Sequence, residues 1–128
     1  RFSPFFFFLR IYSNNNLGEN IAEGGGIHQA FLAYKRWLTN QKDPIDLANE
    51  TLPELNLTST QLFFLNFGQV WCGDIRREAN KNKMMSSVQH SAARYRVIGA
   101  LSNFDEFSKT WNCPLNSPMN PTTKCKVW

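Results

Sequence analysis

Glu19 and Glu23 stand four residues apart in the run Glu19-Asn20-Ile21-Ala22-Glu23. On a helix that spacing projects both carboxylates from one face. One carboxylate of such a pair can ligate zinc directly while the other orients a neighbouring histidine through a hydrogen bond. On spacing alone, two solvated surface glutamates are the simpler account. Against it stand the apolar neighbours Leu17, Ile21 and Ala22 and the glycine run that follows. His90 and Arg96 form a second constellation. An imidazole can donate to an oxyanion as it forms, and a guanidinium can clamp a peptide carbonyl. Taken alone, the same two residues read as an ordinary polar loop residue and a helix-surface charge, and spacing does not separate the two accounts.

These residues need elements to hold them, and the pattern of the chain is mainly α. Residues 1–16 end in the polar tract Ser13-Asn14-Asn15-Asn16 and read as a loop. From about Leu17 to Leu38 a helix is expected, because Ile27, Phe31, Tyr34 and Leu38 recur at i, i+4, i+7 and i+11. Gly24-Gly25-Gly26 should interrupt it, since each glycine costs on the order of 1 kcal/mol against alanine. A close backbone approach or a bend is expected there. Residues 41–57, with Pro44 and Pro53, read as an exposed loop. Thr58-Ser59-Thr60-Gln61 has the form of a capping box and opens a second helix from Ser59 to about Cys72. That helix is apolar on nearly every side, so a larger body is expected to pack against it. Residues 74–89 are polar, a third helix is expected over Ala92–Leu101 and a fourth over Phe104–Trp111, and a proline-containing tail follows.

Composition narrows the function. The chain has 128 residues, enough for at most one domain, and it is 42% hydrophobic with eleven phenylalanines. Its net charge of +4 is scattered, with small clusters at Lys81/Lys83 and Arg94/Arg96. A nucleic-acid partner is not expected, because that needs a basic stripe interleaved with exposed aromatics. Three cysteines, Cys72, Cys113 and Cys125, are an odd number, so at least one cannot pair within the chain. Two glycosylation sequons, at Asn49 and Asn56, together with the cysteines lean towards an extracellular or cell-surface location. The run Phe5–Leu9 is too short to span a bilayer and lacks a clear signal-cleavage site. It is read as an artefactual join, such as a misjoined exon.

The segment Leu17-Gly18-Glu19-Asn20-Ile21-Ala22-Glu23-Gly24-Gly25-Gly26 resembles the LGENIAD-x-GG signature of the family of neprilysin and the endothelin-converting enzymes, which are zinc metallopeptidases. Further matches follow in the same order: Ala33-Tyr34-Lys35, Gln61–Leu65, Gln69-Val70-Trp71-Cys72-Gly73, His90-Ser91, Arg96-Val97-Ile98-Gly99, Glu106-Phe107-Ser108 and Met119-Asn120-Pro121. The ending Cys125-Lys126-Val127-Trp128 is similar to the CxVW terminus of that family. The resemblance covers residues 16–128 and leaves 1–15 as a non-matching segment.

The resemblance implies the C-terminal helical part of a thermolysin-like zinc peptidase that cleaves small peptides on the amino side of hydrophobic residues. Glu19 would be the third protein ligand of one catalytic Zn2+. Glu23 stands where the family has aspartate and would orient a zinc-binding histidine, with one methylene more of reach. His90 would stabilise the tetrahedral oxyanion and Arg96 would bind the substrate carbonyl. Two residues before His90 the family has aspartate, where this chain has Val88. The family's HExxH helix supplies two zinc histidines and the general base. The flanks of His28, the other histidine here, do not form that motif. HExxH is therefore expected upstream, the fragment alone is expected to be inactive, and its partners are peptide substrates and the N-terminal part of the same polypeptide. All three cysteines would pair with upstream cysteines. The competing reading is a non-catalytic relative or truncated product with a binding or structural role, to which Val88 and Glu23 lend some weight.

Overall fold

The computed structural model describes residues 4–40, 54–74, 76 and 90–125, with the side chains of the first helix from residue 16 onward. It is mainly helical: α1 (Pro4–Thr39), α2 (Ser59–Val70), α3 (Ala93–Ser102) and α4 (Asp105–Thr110). Among the described residues the β structure is one isolated antiparallel bridge, Ser117 to Asn120. No helix among them is long and apolar enough to cross a membrane.

α1 is longer than its sequence pattern suggests, 36 residues or ~54 Å at 1.5 Å per residue. The loop expected over residues 1–16 does not form from Pro4 onward. Proline suits the first helical position, where its missing N–H is not needed. Once a helix is nucleated each added residue gains a hydrogen bond, so the asparagine tract is carried along. The glycine run does not interrupt α1 either. Nor do Gly24 and Gly26 serve a close approach, because a Cβ built on either would meet nothing within 4 Å. Tertiary packing on both sides of the run outweighs its poor helix propensity.

The predicted apolar face of α1 is the one that packs. Ile27 and Phe31 are buried, and Tyr34 packs beside them. α2 begins where the capping box requires: Gln61 N donates to Thr58 Oγ1 (3.2 Å) and Thr58 N donates to Gln61 Oε1 (2.9 Å). It ends at Val70 rather than Cys72, as Trp71 N turns back to the Gly68 carbonyl (3.2 Å). α1 packs on α3, α3 on α4, and α2 on α4.

Phe64 of α2 is the hub of the core, 2% exposed. Its ring stacks on Phe31 (5.3 Å between centroids) and meets Phe107 edge-on (5.4 Å). Ala100 and Leu101 of α3 close the cluster. Truncating a buried phenylalanine typically costs about 3–5 kcal/mol, from lost transfer energy and the cavity left behind. Phe64→Ala should therefore lower the urea midpoint of unfolding by an amount equivalent to that loss; a change below about 1 kcal/mol would contradict this core. The rest of α2 is less covered than its all-round apolar pattern calls for, with Leu65 and Val70 exposed. An apolar groove of about 260 Å³ lies between α2 and α4, at Phe64, Gly68, Cys72, Phe107 and Trp111.

The tail is strapped to α3 and α4 by polar contacts. Lys124 Nζ donates to Asp105 Oδ1 (2.8 Å) and Ser108 Oγ (3.2 Å), and Cys125 N donates to Asn103 Oδ1 (2.8 Å). Asn112 and Asn116 take left-handed backbone conformations (φ 50° and 68°), which asparagine tolerates at turns.

Candidate active site

The four candidate residues, drawn from segments more than seventy positions apart, come together along one face of α1. Glu19 and Glu23 lie one turn apart, ~6 Å along the helix axis. Each faces a basic partner from the entry to α3 or its first turn. His90 Nδ1 lies 3.5 Å from Glu19 Oε2, and these two side chains are 44% and 46% exposed. That is long for a hydrogen bond, and it is an ion pair only when the imidazole is protonated. Arg96 donates through Nε to Glu23 Oε1 in a much less exposed pair, 17% and 12%. The two acids thus differ in kind: Glu19 is open, and Glu23 is closed in.

Burial pushes the Glu23 carboxyl above its ordinary value, and the Arg96 charge and hydrogen bond pull it back down. Nearby His90 also lowers it, while Glu19 raises it. Loss of hydration outweighs the pairing in this balance. With one oxygen given to Arg96, the Glu23 carboxylate keeps Oε2 as a further acceptor.

A polar cluster fixes the segment that carries His90. Asn16 is 2% exposed, and its Nδ2 donates to Ser91 Oγ (3.1 Å). Ser91 Oγ donates in turn to Asn20 Oδ1 (2.9 Å), and Asn20 Nδ2 approaches Asn16 Oδ1 (3.5 Å). The ring of contacts ties the residue next to His90 to the turn of α1 that carries Glu19. Buried polar groups need such partners, and here each satisfies the next.

Trp71, at the end of α2, lies against Arg96, with the guanidinium carbon 3.8 Å from the ring centroid. Arg96 therefore meets an acid at its Nε and lies over the face of an indole. Neither Trp71 nor the Asn16–Asn20–Ser91 cluster is a candidate on sequence grounds. No local spacing signals their long-range contacts, since Trp71 meets Arg96 from 25 residues away and Ser91 meets Asn16 and Asn20 from 75 and 71.

Among the described residues no group of three or more His, Cys, Asp or Glu side chains converges as a metal site would require. Glu19 fits the part of a single oxygen ligand, being half exposed and approached only at 3.5 Å by His90. Glu23, committed to Arg96, does not. His28 packs its ring edge-on to Phe104 (5.3 Å) and serves the core.

Asn56 is exposed just before α2, while Thr58 of the same sequon caps that helix. Asn49 and Val88 lie outside the described residues. Cys72, Cys113 and Cys125 are free thiols, the first and last exposed.

Comparison with known proteins places these features in context. The sequence model of peptidase family M13 matches residues 8–127. The chain is similar to endothelin-converting enzyme 1 of Rattus norvegicus, 47% identical over 118 residues, which cover 92% of this chain and 15% of that protein. It is also similar to neprilysin of Oryctolagus cuniculus, 47% identical over 114 residues, covering 89% of this chain and 14% of that protein. Membrane metallo-endopeptidase-like 1 of Mus musculus is 47% identical over 115 residues, with 89% and 14% covered. The chain thus spans about one seventh of the length of the curated relatives it matches.

Proposed function

Since this chain belongs to peptidase family M13, we propose that it is the C-terminal portion of a zinc metalloendopeptidase, with residues 16–128 forming part of the catalytic domain. The observation that carries the reading is the alignment of two unlike pairs on one face of α1, the open Glu19–His90 pair and the closed Glu23–Arg96 pair. Glu19 would supply one oxygen ligand to zinc, and two histidines of an HExxH helix elsewhere in the polypeptide would supply the others. When bound, the metal would act as a Lewis acid on the scissile carbonyl and lower the pKa of its water. Glu23 keeps Oε2 for a histidine of that helix while Oε1 holds Arg96.

The remaining work falls to the basic residues. His90, anchored through Ser91, would donate to the oxyanion as the carbonyl becomes tetrahedral. Arg96 would clamp a backbone carbonyl of the substrate. Its terminal nitrogens make no hydrogen bond among the described residues, which suits them to that role. The substrates would be small peptides cleaved on the amino side of hydrophobic residues. A secreted or cell-surface setting is supported by the exposed sequon at Asn56 and by three thiols suited to disulfides with cysteines elsewhere in the polypeptide.

The test is to read the coding sequence 5′ of the Asn16 codon and to assay the complete polypeptide for peptide hydrolysis that a chelator abolishes and zinc restores. A degraded HExxH, or hydrolysis indifferent to chelation, would overturn the proposal. Within the same protein, Arg96→Ala should reduce kcat/KM by about 10–100-fold, the scale of a lost charged hydrogen bond, mostly through KM. Zinc content should be unchanged, and loss of metal instead would show that Arg96 has another role.

A further inference from the structure

We infer that Trp71 is a positioning residue for Arg96, its indole face fixing the plane of the guanidinium so that only the two terminal nitrogens remain to meet a substrate. The inference rests on the reading of Arg96 as the clamp on a substrate carbonyl, and it adds a residue that this reading does not contain. Arginine has many rotamers, so a productive clamp needs its plane held before substrate arrives. Glu23 by itself cannot do this, because one hydrogen bond at Nε leaves the guanidinium free to turn about that contact. The ring of Trp71, 3.8 Å from the guanidinium carbon, blocks that rotation from the face. An edge contact and a face contact together define the plane. The donors left over are the terminal nitrogens, whose fork suits a carbonyl oxygen.

The backbone that delivers the ring is itself constrained. Trp71 ends α2, its N–H turned back to the Gly68 carbonyl at 3.2 Å, and the next amide, Cys72 N, bonds the Gln69 carbonyl at 3.0 Å. The indole Nε1, by contrast, is buried and has no hydrogen-bond partner among the described residues. Among the described residues, then, Trp71 is not held in place through its own donor, and the polar interaction that its ring makes with them is through its π face. This sets a sharp expectation for substitutions. Phenylalanine keeps a π face, smaller than that of the indole, and lacks the N–H, whereas leucine fills space without a π face.

The experiment uses the complete polypeptide, loaded with zinc, and a small peptide with a hydrophobic residue following the scissile bond. Trp71→Leu should raise KM about tenfold with kcat within about twofold, and Trp71→Phe should restore KM to within about threefold of the parent. Trp71→Met, which fills the space without a π face, should behave as Leu does and guards against a folding defect in the leucine variant. A second readout does not depend on activity. With 15N-labelled arginine, the Arg96 Nε–H resonance should carry an indole ring-current shift that Trp71→Leu abolishes and Trp71→Phe partly keeps. If Trp71→Leu leaves that resonance in place, or if Phe and Leu raise KM equally, the inference fails. If Arg96→Ala leaves KM unchanged, the clamp reading of Arg96 fails instead, and the resonance still decides whether Trp71 fixes the guanidinium.

Discussion

Glu19→Ala in the complete polypeptide is expected to remove zinc and peptide hydrolysis together, with kcat/KM falling by at least about three orders of magnitude. The size follows from what the proposed metal would supply, several kcal/mol of transition-state charge stabilisation and a nucleophile formed at neutral pH. Of the two acids, Glu19 is the one whose setting suits the proposed ligand role. Its carboxylate is half exposed and, among the described residues, meets His90 alone, at 3.5 Å, so an incoming cation would displace no strong partner there. Glu23 would have to give up Arg96 in a far less exposed setting. Metal content measured by atomic absorption on dialysed protein, beside kcat/KM, checks the assignment. Zinc retained with full activity would remove Glu19 from the site. Since Glu19 is half exposed and packs in no core cluster, the melting midpoint of the metal-free protein should move little.

His90→Ala is the second large effect, a loss of about 10²–10³ in kcat with zinc content unchanged, the scale of one oxyanion donor removed. The cost should fall on kcat because the proposed interaction would strengthen only as negative charge develops on the carbonyl oxygen. The segment is not free to drift, since Ser91 is bonded to both Asn16 and Asn20. His90→Gln, which keeps a donor of similar length, should recover part of the loss. A fall in KM affinity with kcat intact would show instead that His90 binds ground-state substrate, and unaltered kinetics would exclude it from the chemistry.

Much of this arrangement is legible in the residues one after another. The i, i+4, i+7 recurrence of Ile27, Phe31 and Tyr34 marks the face of α1 that packs, because helical periodicity is a local property. The capping box at Thr58 and Gln61 fixes the start of α2 for the same reason. The ordered series of motifs identifies the family, and the four-residue spacing of Glu19 and Glu23 puts both acids on one face. Local reading errs where packing outweighs propensity: α1 runs through its asparagine tract and through Gly24-Gly25-Gly26. Glycine cost is of order 1 kcal/mol per residue, and buried aromatic contacts exceed it.

What only the tertiary structure decides is who meets whom. Glu23 takes Arg96 from 73 positions away, Asn16 takes Ser91 from 75, and Trp71 arrives from another helix to cover the guanidinium. No spacing rule encodes these pairings, because they depend on the position and angle at which α2 and α3 dock. That docking is fixed by the interlock of Phe31, Phe64, Phe104 and Phe107 in the core, at a distance from the charges it brings together.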